Sequence, residues 1–163
     1  MNAVPQVALA WGVHALDWIL AARRGPPIVH PGERGRELGI RLGMIALIVW
    51  SVAMTPSGQP STLPGAALLW GGTLLAILAR RRLGPAWGIG VRPQGRRVEG
   101  GPFRWVRHPI YVGTLSAVLG QCLLLRNPPS YILLGLGIGV AAVKSRLESR
   151  WLAVDRGDEG PGS

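Results

Sequence analysis

Cysteine is nearly absent from this chain of 163 residues, in which Cys122 is the only one. A single cysteine excludes an intrachain disulfide. Its place inside an apolar run favours the role of a small hydrophobic residue over that of a nucleophile. Lysine is equally scarce, since Lys144 is the only one and arginine supplies the remaining basic side chains. Residues 1–6 carry no positive charge, which argues against a signal peptide and favours a retained first helix.

Acidic residues are also few, with 8 Asp and Glu against 18 Lys and Arg, for a formal net charge of +10. Yet 48% of the residues are hydrophobic, and the mean hydropathy is +0.27. Apolar and strongly basic character together favour a membrane protein whose charges lie in loops that face anionic lipid. A basic nucleic-acid-binding surface is the alternative, but the sequence contains no recognisable nucleic-acid-binding motif. We therefore expect membrane lipids as neighbours and no nucleic acid as a partner.

Five apolar segments are long enough, or nearly so, to cross a bilayer as helices. Turns rich in glycine and proline, or runs of arginine, separate them. The segments run from Val4 to Ala22, Leu38 to Met54, Leu63 to Ala79, Ile110 to Leu125 and Ser130 to Val143, the last continuing as a helix to Leu152. The expected fold class is therefore all-α: a polytopic membrane protein with about five transmembrane helices.

The last two segments are short and are joined by a turn with two prolines, which predicts a tight helical hairpin. Gly135 with Gly139, and Gly113 with Gly120, have spacings that favour close packing between helices.

The basic residues test this topology. With five spans, 17 of the 18 fall on one side of the membrane, among them the run Arg80–Arg82, and only Arg126 falls on the other. The positive-inside rule then places the N-terminus outside and the C-terminus in the cytoplasm. An arrangement with four spans scatters the same charges over both sides.

His14 and Asp17 lie three residues apart in the first segment, and so share one helical face. Ionisable side chains inside a membrane span are costly, and they are functional candidates by default. The alternative is a structural polar contact that faces the interior of the helix bundle.

The most unusual stretch, residues 100–113, reads Gly-Gly-Pro-Phe-Arg-Trp-Val-Arg-His-Pro-Ile-Tyr-Val-Gly. It places Arg107, His108 and Tyr111 at the start of the fourth segment, on a backbone restricted by glycine and proline. The five-span topology brings it to the membrane face that holds the end of the fifth segment, with Lys144, Arg146 and Glu148. Cations, one carboxylate and aromatic rings at one site suit a zwitterionic ligand.

Residues 83–87 (Leu-Gly-Pro-Ala-Trp) and 98–113 resemble the isoprenylcysteine carboxyl methyltransferase family and the related phospholipid methyltransferases. These integral membrane enzymes share the signature Gly-x-Tyr/Phe-x-x-x-Arg-His-Pro-x-Tyr-x-Gly, followed further along the chain by Glu-Glu-x-x-Leu. Residues 148–152 (Glu-Ser-Arg-Trp-Leu) match the second element in part. The resemblance covers residues 70–152, and the first motif is the more specific of the two.

The resemblance implies an integral membrane methyltransferase that uses S-adenosyl-L-methionine and acts on a lipophilic substrate. A carboxylate, thiol, amine or phenol is compatible as the methyl acceptor. The resemblance assigns catalysis to Arg107 and Glu148, and contact with the substrate to Lys144 and Arg146. It assigns cofactor binding to Arg97, Val98, Phe103, His108, Pro109, Ile110, Tyr111 and Glu148. No metal is expected.

Two positions depart from the family pattern. Phe103 stands where tyrosine is common, and Ser149 stands where the family has its second glutamate. Because the first motif is complete, we expect an altered substrate choice rather than a loss of activity. Two alternatives stay open: a lipid-binding or scaffold protein that kept the fold without the chemistry, and a membrane reductase that uses a nicotinamide cofactor.

The resulting organisation has three parts. Residues 1–82 form three transmembrane helices, and residues 83–154 form the cofactor-binding loop, the hairpin and the helical extension. Residues 155–163 form a disordered tail. In this arrangement the lipophilic substrate enters sideways from the lipid, and the polar cofactor enters from the cytoplasm.

Overall fold

The computed structural model describes residues 2–24, 34–56, 58–83, 101–106 and 108–157. These residues form five α-helices and one short 3-10 helix, and the part of the chain that is described contains no β-strand. The helices are α1 (Ala3–Arg24), α2 (Arg34–Ala53), α3 (Leu63–Leu83), α4 (Pro109–Leu125) and α5 (Pro128–Gly157), and the 3-10 helix is η1 (Gly101–Arg104). The predicted all-α class is confirmed, and each of the five predicted segments corresponds to one helix.

The turn between α4 and α5 shows why the sequence breaks where it does. Arg126 adopts a left-handed conformation (φ 50°) that ends α4, and its N–H donates to the carbonyl of Cys122. Asn127 then accepts hydrogen bonds from the backbone N–H and the hydroxyl of Ser130, which is the pattern of a helix N-cap. Pro128 follows at the first position of α5, where its missing N–H costs nothing.

Helices α3 and α5 continue past the C-terminal ends that the sequence predicted for them. The third segment was expected to end at Ala79, but α3 continues to Leu83, so Arg80 belongs to the helix and is only 2% exposed. The run Arg80–Arg82, at which the predicted apolar segment stops, therefore lies within the helix. Helix α5 continues to Gly157, three residues into the segment assigned to the tail, and residues 158–163 lie outside the described residues.

The closest helix pair is α3 with α4. A Cβ atom added at Gly113 would lie 2.6 Å from the backbone N of Ala76, and one at Gly72 would lie 2.5 Å from the carbonyl O of Gly113. Only glycine allows backbones to approach so closely. The prediction for Gly135 and Gly139 is wrong, because a Cβ at either meets no described atom within 4 Å. Helix α4 therefore packs on α3 more closely than on its hairpin partner α5.

A buried polar network ties α4 to the other helices near its C-terminal end. The side-chain amide of Gln121, which is fully buried, donates to the Ser51 hydroxyl (2.6 Å) and accepts from the Trp11 indole (2.6 Å). Asn127 donates to the carbonyl of Ser51 (2.6 Å) and to the hydroxyl of Thr55 (2.9 Å). Satisfied buried polar groups of this kind specify one arrangement of helices.

Cys122 lies in the apolar cluster between α2, α4 and α5. It packs with Val118 and Leu133, and its thiol donates to the carbonyl of Ser130 at 3.2 Å. Its burial, with 1% of its surface exposed, agrees with the predicted role of a small hydrophobic residue.

Candidate functional site

His108 forms the N-cap of α4, with a backbone conformation (φ −131°, ψ 67°) outside the helix. Pro109 is buried and starts the helix, since its fixed φ suits that position. The His108 side chain makes no capping hydrogen bond, whereas its carbonyl accepts from the N–H of Val112 at 3.1 Å. The imidazole nitrogens therefore do not cap the backbone of the first turn of α4.

The ring of His108 contacts α5 instead. Its Nε2 atom lies 3.1 Å from the hydroxyl oxygen of Ser145, which is a hydrogen bond whose direction depends on the tautomer of the ring. The ring also stacks on Tyr111, in the first turn of α4, with 5.7 Å between ring centroids and 30° between planes. All three side chains are half-buried. A polar and aromatic surface thus lies where the start of α4 meets α5.

Helix α5 carries Glu148 three residues beyond Ser145. Residues at this spacing share a helical face and are about 4.5 Å apart along the axis. Lys144 and Arg146 flank Ser145 in sequence, and Arg146 is exposed. The side chains of Lys144 and Glu148 lie outside the described part of the structure, as do residues Arg97, Val98 and Arg107 entirely.

The 3-10 helix η1 precedes α4 and packs against the end of α3. Gly101 opens it with φ +64°, a conformation that favours glycine, and the position of a Cβ there would be 3.4 Å from Nε of Arg82. The carbonyl of Pro102 accepts from the N–H of Val106 at 3.1 Å. Phe103 is half-buried within η1, and Ile110 is half-buried in the first turn of α4.

A second polar cluster lies between the C-terminal halves of α1 and α3. The carboxylate of Asp17 forms a buried ion pair with Arg80 and lies 3.5 Å from Nε of Arg81. The Arg80 guanidinium lies 4.8 Å from the ring centroid of Trp18, a cation–π contact. Its Nη2 lies 3.4 Å from Nε2 of His14. Since arginine only donates, a hydrogen bond between the two side chains requires this His14 nitrogen to accept.

The contacts of Asp17 favour the structural interpretation of the two polar residues in the first segment. Asp17 and His14 face the interior of the bundle and meet a residue of α3, as a structural polar contact requires. They lie on different helices from the His108 site. Among the described residues, no group of three or more His, Cys, Asp or Glu is arranged to hold a metal ion.

Sequence reasoning missed Ser145 and the partner of Asp17. Ser145 could have been found from its spacing, because it lies three residues before Glu148 and hence on the same face of the helix. Arg80 was hidden at the start of the run Arg80–Arg82, which has the pattern of a basic helix end facing a loop. The available signal was helical spacing: Arg80 lies four residues after Ala76, and so continues a face of the apolar segment.

The family model for "Phospholipid methyltransferase" matches residues 61–154. The match spans α3, η1, α4 and all but the last turn of α5, whereas α1 and α2 lie before it. No curated protein and no solved structure gives a significant match to the chain. The matched region covers more than half of the chain and contains both sequence motifs, so the resemblance is confirmed and the chain belongs to the phospholipid methyltransferase family of membrane methyltransferases.

Proposed function

We propose that this protein is a multi-pass membrane methyltransferase that transfers a methyl group from S-adenosyl-L-methionine to a lipophilic acceptor. The observation that carries the proposal is the contact between His108 and Ser145. This contact joins the Arg-His-Pro-x-Tyr motif at the start of α4 to the turn of α5 that precedes Glu148. Two motifs that are far apart in sequence therefore converge at one end of the helix bundle.

Helix α1 supports the membrane location, because its polarity is inverted relative to a helix of a water-soluble protein. The face toward the bundle carries the buried polar residues Gln6, His14 and Asp17. The opposite face exposes large apolar side chains, namely Leu9, Val13, Leu16, Ile19 and Leu20. An exposed apolar face on this scale is stable in lipid and costly in water.

The lengths of the helices agree with this location. Residues Ala3–Ala21 and Leu63–Arg82 are long and apolar enough to span a bilayer, and the three remaining helices contain shorter apolar stretches. In a chain that crosses the membrane with each successive helix, α1 and α3 run in the same direction, and the described contacts between their ends agree with this. The start of α1 contacts the loop before α3 at Gln59, while Asp17 near the end of α1 contacts Arg80 near the end of α3. We propose that this second end is cytoplasmic, as the positive-inside rule predicts.

We propose that the site binds a ligand that combines a cation, a carboxylate and an adenine ring. His108 and Tyr111 offer a half-buried pair of stacked rings, on which a planar base or a sulfonium group can pack. We propose that Pro109, Ile110 and Phe103 complete the apolar wall, with residues 97–98 beside them. We further propose that Glu148 balances the positive charge of the ligand. When bound, S-adenosyl-L-methionine supplies a methyl group that is already activated by the sulfonium.

The protein's task is then to orient the acceptor and to exclude water. We propose that Arg107 holds the polar end of the acceptor in line with the methyl group, and that Lys144 and Arg146 neutralise an acidic headgroup. A carboxylate acceptor needs no base. An amine or phenol acceptor loses a proton, and we propose that His108, which contacts Ser145, receives it.

Calorimetry tests the cofactor assignment. Purified protein in detergent is titrated with S-adenosyl-L-methionine and, separately, with a reduced nicotinamide cofactor. We expect binding of the first only, weakened by about tenfold or more in His108→Ala and Glu148→Gln, because each loses a charge-assisted or aromatic contact. If S-adenosyl-L-methionine does not bind, the proposal is wrong. Binding of the nicotinamide cofactor instead would favour a membrane reductase.

The two tyrosines of the chain provide a matched control. Tyr111 stacks on His108, whereas Tyr131 lies in the first turn of α5, near the opposite end of the hairpin, and is 54% exposed. We expect Tyr111→Leu to weaken cofactor binding and Tyr131→Leu to leave it unchanged. Transfer of a radiolabelled methyl group into a total lipid extract then separates an enzyme from a binding-only protein. If the cofactor binds but no radiolabel is transferred into the lipid extract, the binding-only protein is favoured.

A further inference from the structure

The buried ion pair between Asp17 and Arg80 links a helix outside the family match to a helix inside it. Asp17 lies in α1, which precedes the matched residues 61–154, and Arg80 lies in α3. Both side chains are shielded, with 10% of the Asp17 side chain and 2% of the Arg80 side chain exposed. A buried guanidinium needs a counter-charge, and Asp17 supplies it from the other helix.

The turn of α3 that contains Arg80 also contacts the segment leading into the candidate site. Arg82, two residues further on, lies against Gly101 at the start of η1. The chain then passes through Phe103 to His108. The last turns of α3 thus carry both the Asp17 contact and the contact that seats η1.

The same helix also positions the start of α4. The backbone of Ala76, one turn before Arg80, lies so close to Gly113 that a Cβ at Gly113 would be 2.6 Å from the Ala76 nitrogen. A rotation or translation of this end of α3 would therefore displace η1 and the first turns of α4 together, because close-packed helices have no free space to absorb it.

We propose that Asp17 is a positioning residue for the cofactor site, an inference that rests on the proposed function. By holding Arg80 inside the bundle, Asp17 fixes the last turn of α3, against which η1 and α4 are placed. Without the carboxylate, the buried Arg80 guanidinium loses the counter-charge that Asp17 supplies. The accessible response is a shift of the helix end that lets its long side chain reach water or lipid headgroups.

The test compares variants in lipid nanodiscs with two measurements. The first is hydrogen–deuterium exchange of the backbone amides in residues 101–106, which include the hydrogen-bonded N–H of Val106. The second is the dissociation constant for S-adenosyl-L-methionine. In Asp17→Asn we expect exchange to become roughly tenfold faster and the dissociation constant to rise roughly five- to tenfold, as is typical of coupling between separate sites.

Two rescue variants and one control separate positioning from general loss of stability. Asp17→Glu keeps the charge, and the double substitution Asp17→Leu with Arg80→Met removes both charges. We expect both to retain slow exchange in residues 101–106. The control is Asn127→Ala, which disrupts the polar network at the other end of α4 and should leave both measurements unchanged.

The outcomes are distinct. If Asp17→Asn changes neither measurement, or if Asn127→Ala changes them as much, the positioning role is wrong. If the wild-type protein binds no S-adenosyl-L-methionine, the proposed function fails. The exchange measurement then still decides whether Asp17 holds η1 in place.

Discussion

Ser145 and His108 are 37 positions apart in the chain, yet the Oγ and Nε2 atoms of their side chains lie 3.1 Å apart. This hydrogen bond connects the histidine of the first motif to α5, the helix that carries the second motif. We propose that it orients the imidazole ring, so that Ser145 acts on the proposed site through His108.

Replacement of Ser145 tests this relationship. We expect Ser145→Ala to weaken S-adenosyl-L-methionine binding by about two- to tenfold, because one hydrogen bond contributes about 0.5–1.5 kcal/mol. Ser145→Thr keeps the hydroxyl and should bind nearly as well as the wild type. Calorimetry on both variants and on the double variant with His108→Ala measures the coupling. Additive losses in the double variant would show that Ser145 does not act through His108.

The glycines between α3 and α4 make a prediction about stability. A Cβ at Gly120 would lie 2.7 Å from the carbonyl O of Gly65 and would overlap the backbone of Leu69. We expect Gly120→Ala to lower the free energy of unfolding by about 1–3 kcal/mol, as overpacking typically does, measured by thermal unfolding in detergent.

Gly139 provides the matched control for this substitution. It also lies in a helix, but a Cβ there meets no described atom within 4 Å. Gly139→Ala should leave the protein as stable as the wild type or stabilise it by up to about 1 kcal/mol, because alanine favours the helix. Equal destabilisation by the two alanines would contradict the close packing of α3 on α4.

The polar network at the α4–α5 turn depends on Asn127. Its side chain accepts from Ser130 and donates to Ser51 and Thr55. Asn127→Ala should destabilise the protein by about 1–3 kcal/mol, because it leaves buried partners unsatisfied. The neighbouring Arg126→Gly should cause no loss, since glycine adopts the left-handed conformation found there without strain. Thermal unfolding of the two variants side by side measures the difference.

The orientation in the membrane has its own test. A reporter that is active only in the cytoplasm, fused after Ser163, should be active, whereas the same reporter fused in the α4–α5 turn at Arg126 should be inactive. The physical reason is the retention of arginine-rich loops on the cytoplasmic side. Activity of the Arg126 fusion with inactivity of the Ser163 fusion would place the proposed site on the wrong face.

Local and periodic features of the fold were predictable from the sequence. The apolar segments predicted five helices, and the Arg126–Pro129 turn predicted the break between α4 and α5. The motif around His108 predicted the family that the match to residues 61–154 confirms. These features depend on neighbouring residues, on helical periodicity and on turn chemistry, all of which the sequence alone shows.

The choice of partners between helices was decided by the tertiary structure. The spacing of Gly135 and Gly139 is as favourable for close packing as that of other glycines, but the glycines that pair are Gly72 with Gly113 and Gly65 with Gly120. The prediction for Gly113 and Gly120 is thus confirmed and that for Gly135 and Gly139 is wrong, because the spacing of two glycines does not determine which face of a helix packs against a neighbour.

The stretch around His108 shows the same division. The sequence by itself determined that a helix begins near Pro109, and it predicted that residues 100–113 hold the candidate site, because glycine, proline and the motif are local features. Only the tertiary structure shows that Ser145 contacts His108, and that Arg80 is buried and pairs with Asp17. The physical reason is that burial and charge pairing act between helices, over distances in sequence that hydrophobic periodicity does not reach.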